Sequence, residues 1–502
     1  MRRGKKLTAL VAIVSLGVIG ALTAQPASSS VQDMSPNSTL GWEVSEAWPS
    51  GNSSAAFTLP AEGYRDAANC SEIGPGARSI VGTPASCDPK DYPGEVLVQY
   101  RLMAPVCEVG DRNCITQVSA LAPDGTKVQG EFMGYTQPSK FFIAENTSIG
   151  NPRSAASGIW KLPGVRNSLG TELYEIQLNM NDGLALFNKG RLIEKFRLQD
   201  RTFTTQIAPA ANMSGNAEMN KGSLPPEYRF ELSAILPRSI MSWYAGRISG
   251  AEVRYQKIDS IYNRITISGE PTTVPVFAPR ITRAQASPEL LEIFHFCQTN
   301  QTSCIGYHVQ GRGNPRFLEA FRNVMQDKAT SSRTVWAIRS QAPRFTESSN
   351  PNAFFACAPR DRASGISTTN AMLFSGDIPQ YKGGLFSYDV SGLHYETDGT
   401  TKFLGEYEMA MDEQLARCMF GFPRTPLSAT VNVISADGTK SIATTTVGIK
   451  NGQLRLSAYN FTFSKKTIQV QLKARGHATC VRGDTVRYVK GTRCPGGFKK
   501  AR

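Results

Sequence analysis

VSALAPDGTKVQGEFM, residues 118–133, decides the class of this fold. Two short runs, 118–121 and 127–133, have the composition of strands, and Pro123-Asp124-Gly125 separates them. Asp-Gly supplies the positive backbone φ that a tight hairpin needs, so the unit reads as strand, turn, strand. Outward from it the texture continues. EVLVQYRLM (95–103) is a mixed apolar strand, and LYEIQL (173–178) alternates with period two. Short β-like runs follow at 184–198, 202–207, 230–236, 252–257 and 264–268, then at 334–339, 385–390, 429–435, 441–447 and 467–472.

Three segments read as helices. Ser287-Pro288-Glu289 before LLEIFHFCQ is a capped start, with Pro at the first helical position and an acid in the first turn. Asn314-Pro315 before RFLEAFRNVMQDK places Phe317, Ala320, Phe321 and Val324 on one face. EMAMDEQLARC (408–418) is the weakest of the three. The expected fold is therefore mainly β: two or more β-sandwich-like modules, a small helical, disulfide-stapled insertion and a short basic C-terminal hairpin. The segments expected are a signal peptide (1–30), an N-terminal β-rich region (31–280), the helix-containing segment (281–345), a C-terminal β-rich module (346–477) and a basic disulfide tail (478–502). Residues 230–251 align without a gap on 372–393, with Ser233, Pro237, Ser249 and Gly250 matching Ser375, Pro379, Ser391 and Gly392. That hints at two related modules, parted in the Pro-rich stretch 271–287.

The first residues carry an export signal. MRRGKK is basic, residues 7–24 are uncharged and apolar, and QPASSS is small and polar, as at a signal-peptidase site. The apolar run has 18 residues, at the lower edge of a bilayer span, so an uncleaved anchor is the alternative. No second run of that kind follows, so no other transmembrane helix is expected. Export makes the ten cysteines candidates for disulfides. They fall in close sequential pairs: Cys70 and Cys87, Cys107 and Cys114, Cys297 and Cys304, Cys357 and Cys418, Cys480 and Cys494.

The formal charge is +14. The leader holds four cations, Arg2, Arg3, Lys5 and Lys6, so the mature chain carries +10. From Cys480 onward, Arg482, Arg487, Lys490, Arg493, Lys499, Lys500 and Arg502 face a single acid, Asp484, and account for +6 of it. A nucleic-acid-binding domain would be basic over its body, and this one is not. The Cys480 and Cys494 pair would pin the cations on a scaffold, with residues 499–502 free to search for an anion.

Motifs for chemistry are sparse. HFCQTNQTSCIGYH (295–308) could supply His295, Cys297, Cys304 and His308 to zinc, but in an exported chain its cysteines read first as a disulfide. There is no Gly-x-Ser-x-Gly elbow and no HExxH. His394 and His477 have no triad context. The densest acidic stretch is Glu396, Asp398, Glu406, Glu408, Asp412 and Glu413, from which a glycosidase would need one acid and one base. Among the five tryptophans, Trp42 and Trp48 sit in polar sequence and are the candidates to stack on sugars.

The tail itself resembles something known. Thr479-Cys480-Val481, Gly483, Val489 and Cys494-Pro495, Gly497-Phe498-Lys499-Lys500 are similar to the C-terminal segment of exported actinobacterial proteins of unknown function, which end in TCV-x-G and a CPxGYKK-like finish. Phe498 stands where those proteins commonly have Tyr. The stretch 435–473 resembles a β module that precedes such tails. The resemblance implies an envelope or secreted protein and no activity. Together these readings lead to a non-catalytic secreted or cell-envelope protein acting through its basic tail. The expected partner is an anionic cell-wall polymer or membrane surface, not nucleic acid, and no cofactor or metal is expected. The alternative is a secreted, carboxylate-dependent glycan hydrolase.

Overall fold

The computed structural model describes residues 37–45, 54–58, 66–67, 79–82, 95–136, 153–188, 191–196, 202–215, 222–240, 242–294, 303–309, 315–341, 357–359, 361–375, 379–382, 385–421, 423, 427–435, 440–442, 444–463, 466–474, 476–483 and 485–500. Residues 1–30, expected to be a signal peptide, lie outside them. Among the described residues no helix is long and apolar enough to cross a membrane.

Strands dominate. Along the chain come β1 (Thr39–Ser45), β2 (Glu95–Met103), β3 (Cys114–Leu121), β4 (Leu173–Asn188), β5 (Thr202–Pro209) and β6 (Arg229–Pro237). Two long strands follow, β7 (Trp243–Lys257) and β8 (Tyr262–Val276). The helical segment holds α1 (Pro288–Ile293), β9 (Ser303–Val309) and α2 (Pro315–Met325). Then come β10 (Ser331–Gln341), β11 (Gly365–Thr369), β12 (Leu385–Ser391), β13 (Leu404–Asp412) and α3 (Glu413–Phe420). The chain closes with β14 (Leu427–Ser435), β15 (Gln453–Thr462), β16 (Lys466–Ala474), β17 (His477–Arg482), β18 (Thr485–Lys490) and β19 (Lys499–Lys500).

One sheet runs through the molecule in the order β2, β4, β5, β10, β7, β11, β13, β15. A second sheet, β3, β6, β8 and the far half of β7, covers one end of it. Between them lies a first core that includes Tyr174, Ile176, Phe203, Phe230, Leu232, Tyr244, Ile248, Ile267 and Trp336. A third sheet, β12, β16, β14, covers the other end. Between those two lies a second core with Trp243, Phe386, Tyr388, Tyr407, Met409, Leu456, Phe461 and Ile468. These are two sandwiches, and they sit on opposite faces of the shared sheet. Alternation shows it within single strands: in β7, Tyr244 and Ile248 face the first core while Trp243 and Ala245 face the second.

Strands β7 and β8 also turn the corner between sheets. Residues 243–247 of β7 pair with β10, and residues 248–257 pair with β8 across a register shift between Ser249 and Glu252. Gly250 sits in that bulge at φ +57, a backbone state that favours glycine. The end of β8, residues 272–276, crosses to pair with β10. Part of the Pro-rich stretch 271–287 is strand: Pro271 and Pro275 lie within β8, and Arg280–Thr282 is a second short strand. The 230–251 and 372–393 segments also differ in pairing. β6 is separated from β7 by β8, whereas Leu373–Phe374 pairs directly with β12. The match is one of strand–turn–strand texture, without a shared pairing scheme.

The helices pack a third core. β1 pairs with Arg280–Thr282 and β9, and α1 and α2 cover it through Leu290, Phe294, Leu318 and Phe321. Ser287 caps α1, its hydroxyl accepting the Leu290 N–H at 3.3 Å, and Pro288 begins it. The third helix read from sequence needs correction. Residues 408–412 belong to β13, and only Glu413–Phe420 is helical. Met409 and Met411 are buried with Tyr407 on one side and Glu406 and Glu408 lie on the other, a period of two.

Candidate functional site

The tail forms a small three-stranded sheet with β17 in the centre. β17 and β18 make a hairpin in which Cys480 faces Arg487, Val481 faces Val486 and Arg482 faces Thr485. Gly483 supplies the turn at φ +57. β19 pairs on the other side, Val481 with Lys499 and Cys480 with Lys500. Lys499 and Lys500 are therefore fixed in a strand, which corrects the expectation that they search freely; Arg502 lies outside the described residues. The Cys480–Cys494 disulfide (Cα–Cα 5.5 Å) ties the centre strand to the loop that leads into β19.

Register sorts the side chains. Directly opposed residues of a sheet share a face, and successive residues alternate. Arg487 and Lys500 both oppose Cys480, and Arg482 lies two residues on, so all three cations project on one face. Phe498, two residues before Lys500, belongs to the same face. Its ring carries the Arg482 guanidinium at 4.9 Å and that of Arg487 at 5.0 Å. The opposite face includes Tyr488, which packs against the second core. Arg482, Arg487, Lys490, Arg493, Lys499 and Lys500 are all exposed. Among the described residues none of the six forms an ion pair.

Disulfides also join Cys107 to Cys114 and Cys357 to Cys418. Cys304 is disulfide-bonded as well, so its sulfur is not a free thiolate ligand. Cys70, Cys87 and Cys297 lie outside the described residues. Among the described residues no cluster of three or more His, Cys, Asp or Glu side chains could hold a metal ion.

The acidic stretch disperses. Asp398 closes a turn: hydrogen bonds from the Thr401 hydroxyl and from the Thr400 and Thr401 N–H groups hold its carboxyl at about 2. Glu406 and Glu408 lie on the face of β13 away from the second core. Burial, and then the charge of Glu408, raises the Glu406 carboxyl above its usual range. Glu408 accepts the Tyr459 hydroxyl at 2.6 Å and the Gly250 N–H at 2.9 Å. Burial and that bond to Glu408 push Tyr459 up to about 12.

Asp412 and Glu413 do line a cleft of about 610 Å³, together with Glu252, Asp361, Arg362 and Gln453. Asp412 is committed, however. It caps α3 by accepting the Leu415 N–H at 2.8 Å and pairs with Arg362 at 2.6 Å, a hydrogen bond that raises the guanidinium's pKa. Asp361 also pairs with Arg362, and Glu413 with Arg417. Glu252 alone among these carboxylates has no ion pair among the described residues. A glycosidase needs two available carboxyl groups facing one bond, one of them with a raised pKa. The raised one here, Glu406, is not among the residues lining the cleft.

Among the described residues the tryptophans give no sugar platform. Trp42, Trp160, Trp243 and Trp336 are buried, and Trp48 lies outside the described residues. Trp42 in particular packs in the third core between Phe277 and Phe317, which corrects its reading as a candidate to stack on sugars.

One pairing has no local signal in the sequence. His394 hydrogen-bonds Asp327 through both its backbone N–H (3.1 Å) and its ring Nδ1, and Arg322 pairs with the same carboxylate at 3.0 Å. Burial pushes the Asp327 carboxyl up, but the His394 hydrogen bonds and the Arg322 charge outweigh it and hold it below the usual range. No serine, threonine or cysteine hydrogen-bonds this histidine among the described residues. The dyad clasps the end of α2 to the chain leaving β12. No known protein-family model matches the chain, and no curated protein matches it.

Proposed function

We propose that the chain is a non-catalytic exported protein, secreted or held at the extracellular face of the cell envelope by its cationic tail. Its tail-bearing actinobacterial look-alikes fit the same reading. The observation that carries it is the group of six exposed cations on a disulfide-pinned sheet and its loop, free of ion pairs among the described residues. The disulfides support an oxidising compartment. The non-catalytic reading draws support from the acidic residues, which act as caps, turn closers and ion-pair partners. An anionic wall polymer or headgroup surface is the natural counterpart, each cation near such a membrane surface being worth about 1 kcal/mol.

The test keeps the chain whole, because Ala478 and Cys480 are buried and a truncation there would disturb the body. All six tail cations are changed to Gln, and cells secreting either form are fractionated. The native chain is expected in the envelope fraction and to be released by high salt, while the variant goes to the medium. Equal partition of the two at every salt concentration would refute retention by the tail.

A further inference from the structure

We infer that the face bearing Arg482, Arg487, Phe498 and Lys500 is a preorganised phosphate site, and that its ligand is a phosphodiester polymer lying across the tail sheet. This rests on the tail being the retention element and adds to it what the tail recognises. The argument begins with the type of cation. Guanidinium groups present a planar fork that meets two oxygens of one phosphate, whereas an ammonium acts as a point charge. Two of the three cations on this face are arginines, and both are stacked on one ring, at 4.9 and 5.0 Å. Stacking fixes the forks before a ligand arrives, so less side-chain freedom is lost on binding. The backbone beneath is fixed too, by the hairpin, by β19 and by the Cys480–Cys494 bridge.

The shape of the face selects among anions. A bilayer-docking surface usually adds apolar side chains that enter the headgroup region. No large apolar side chain is exposed among the described tail residues. Phe498 is only partly exposed, with two guanidinium groups over its ring. A phosphodiester chain carries one charge per repeat in its backbone. It can lie across the tail sheet and offer successive phosphates to Arg482, Arg487 and Lys500.

The test measures binding of the full mature protein to a glycerol-phosphate polymer by titration calorimetry at low and moderate salt. The double variant Arg482→Lys with Arg487→Lys keeps the net charge and is compared with Phe498→Leu. The proposal expects the double variant to bind roughly tenfold more weakly, equal to ~1.4 kcal/mol, and Phe498→Leu to weaken binding in the same direction. It also expects weaker binding of the native protein to polyglutamate and to phosphatidylglycerol vesicles than to the polymer. Native affinity in the lysine variant would overturn the fork and leave retention by charge standing. Equal or tighter binding to polyglutamate or to vesicles would overturn the phosphodiester assignment. No binding of the native protein to any of the three would sink the retention reading as well. Circular dichroism and an intact disulfide check each variant's fold, and if Phe498→Leu unfolds, the lysine pair alone decides.

Discussion

Glu406 and Glu408 show how little separation a strand gives to like charges. They are two residues apart on one side of β13, half-buried, and one of them has a tyrosine hydroxyl and a backbone N–H while the other sits beside its charge. Burial and repulsion raise the Glu406 pKa in the folded chain. The folded state therefore holds its proton more tightly than the unfolded one, whose value is near 4.5. A group of this sign lowers stability as pH rises above the unfolded value. Glu406→Gln removes the charge, so the variant should be more stable than the native chain at pH 7. The difference should shrink toward pH 4, where both states are largely protonated. Urea titrations at the two pH values measure this; a constant difference would show that Glu406 is not perturbed by its fold. None of this could be read from the acidic stretch, because the burial comes from strands distant in sequence. The same holds for Trp42, whose partners Phe277 and Phe317 lie in another part of the chain.

Elements were more legible than residues. The runs at 173–178 and 230–236 are strands whose alternate side chains enter the first core: Tyr174, Ile176 and Leu178 from one, Phe230, Leu232, Ala234 and Leu236 from the other. The Ser-Pro-Glu start of α1 is visible for a local reason: a cap needs only its own first turn. Residues 408–418 misled because a strand runs without a gap into a helix, with Asp412 both ending β13 and capping α3. The tail was legible in charge and cysteines, but the role of Phe498 depends on the register of β19, which no local pattern announces. Its disulfide spans a sequence separation of 14. In the loop-entropy account a bridge of this size contributes about 3 kcal/mol. Replacing both Cys480 and Cys494 by Ser should therefore loosen the tail and leave the sandwiches folded. Limited trypsin digestion should then cut after Arg487 or Lys490 well before it cuts elsewhere in the described body. Unchanged resistance of those sites would mean that pairing and the Tyr488 contact hold the sheet without the bridge.

At the scale of the molecule, the shared sheet decides how the protein comes apart. Two sandwiches joined by a linker would unfold in two steps. Here β7 and β13 each place side chains in both cores: Tyr244 and Ala410 in the first, Trp243 and Met409 in the second. β7 and β10 are buried on both faces over residues 243–248 and 334–341. Gly246 sits so close to β10 that an added Cβ would meet the Ala337 carbonyl and, at 2.9 Å, the Ile338 Cα. Loss of the second core would expose Trp243 and Ala245 of β7 and Tyr407, Met409 and Met411 of β13, and the first core depends on those strands. Leu456 is 1% exposed in the second core, on β15, away from the first. Leu456→Ala should cost ~2–5 kcal/mol through lost packing and the cavity left behind. Coupling through the sheet predicts that the cost is read across the molecule. Native-state hydrogen exchange should show protection falling by a similar amount in β15 and in β4, toward the other end of the sheet. A loss confined to β13, β15 and the third sheet, with β4 unchanged, would mean that the two sandwiches open independently despite sharing strands.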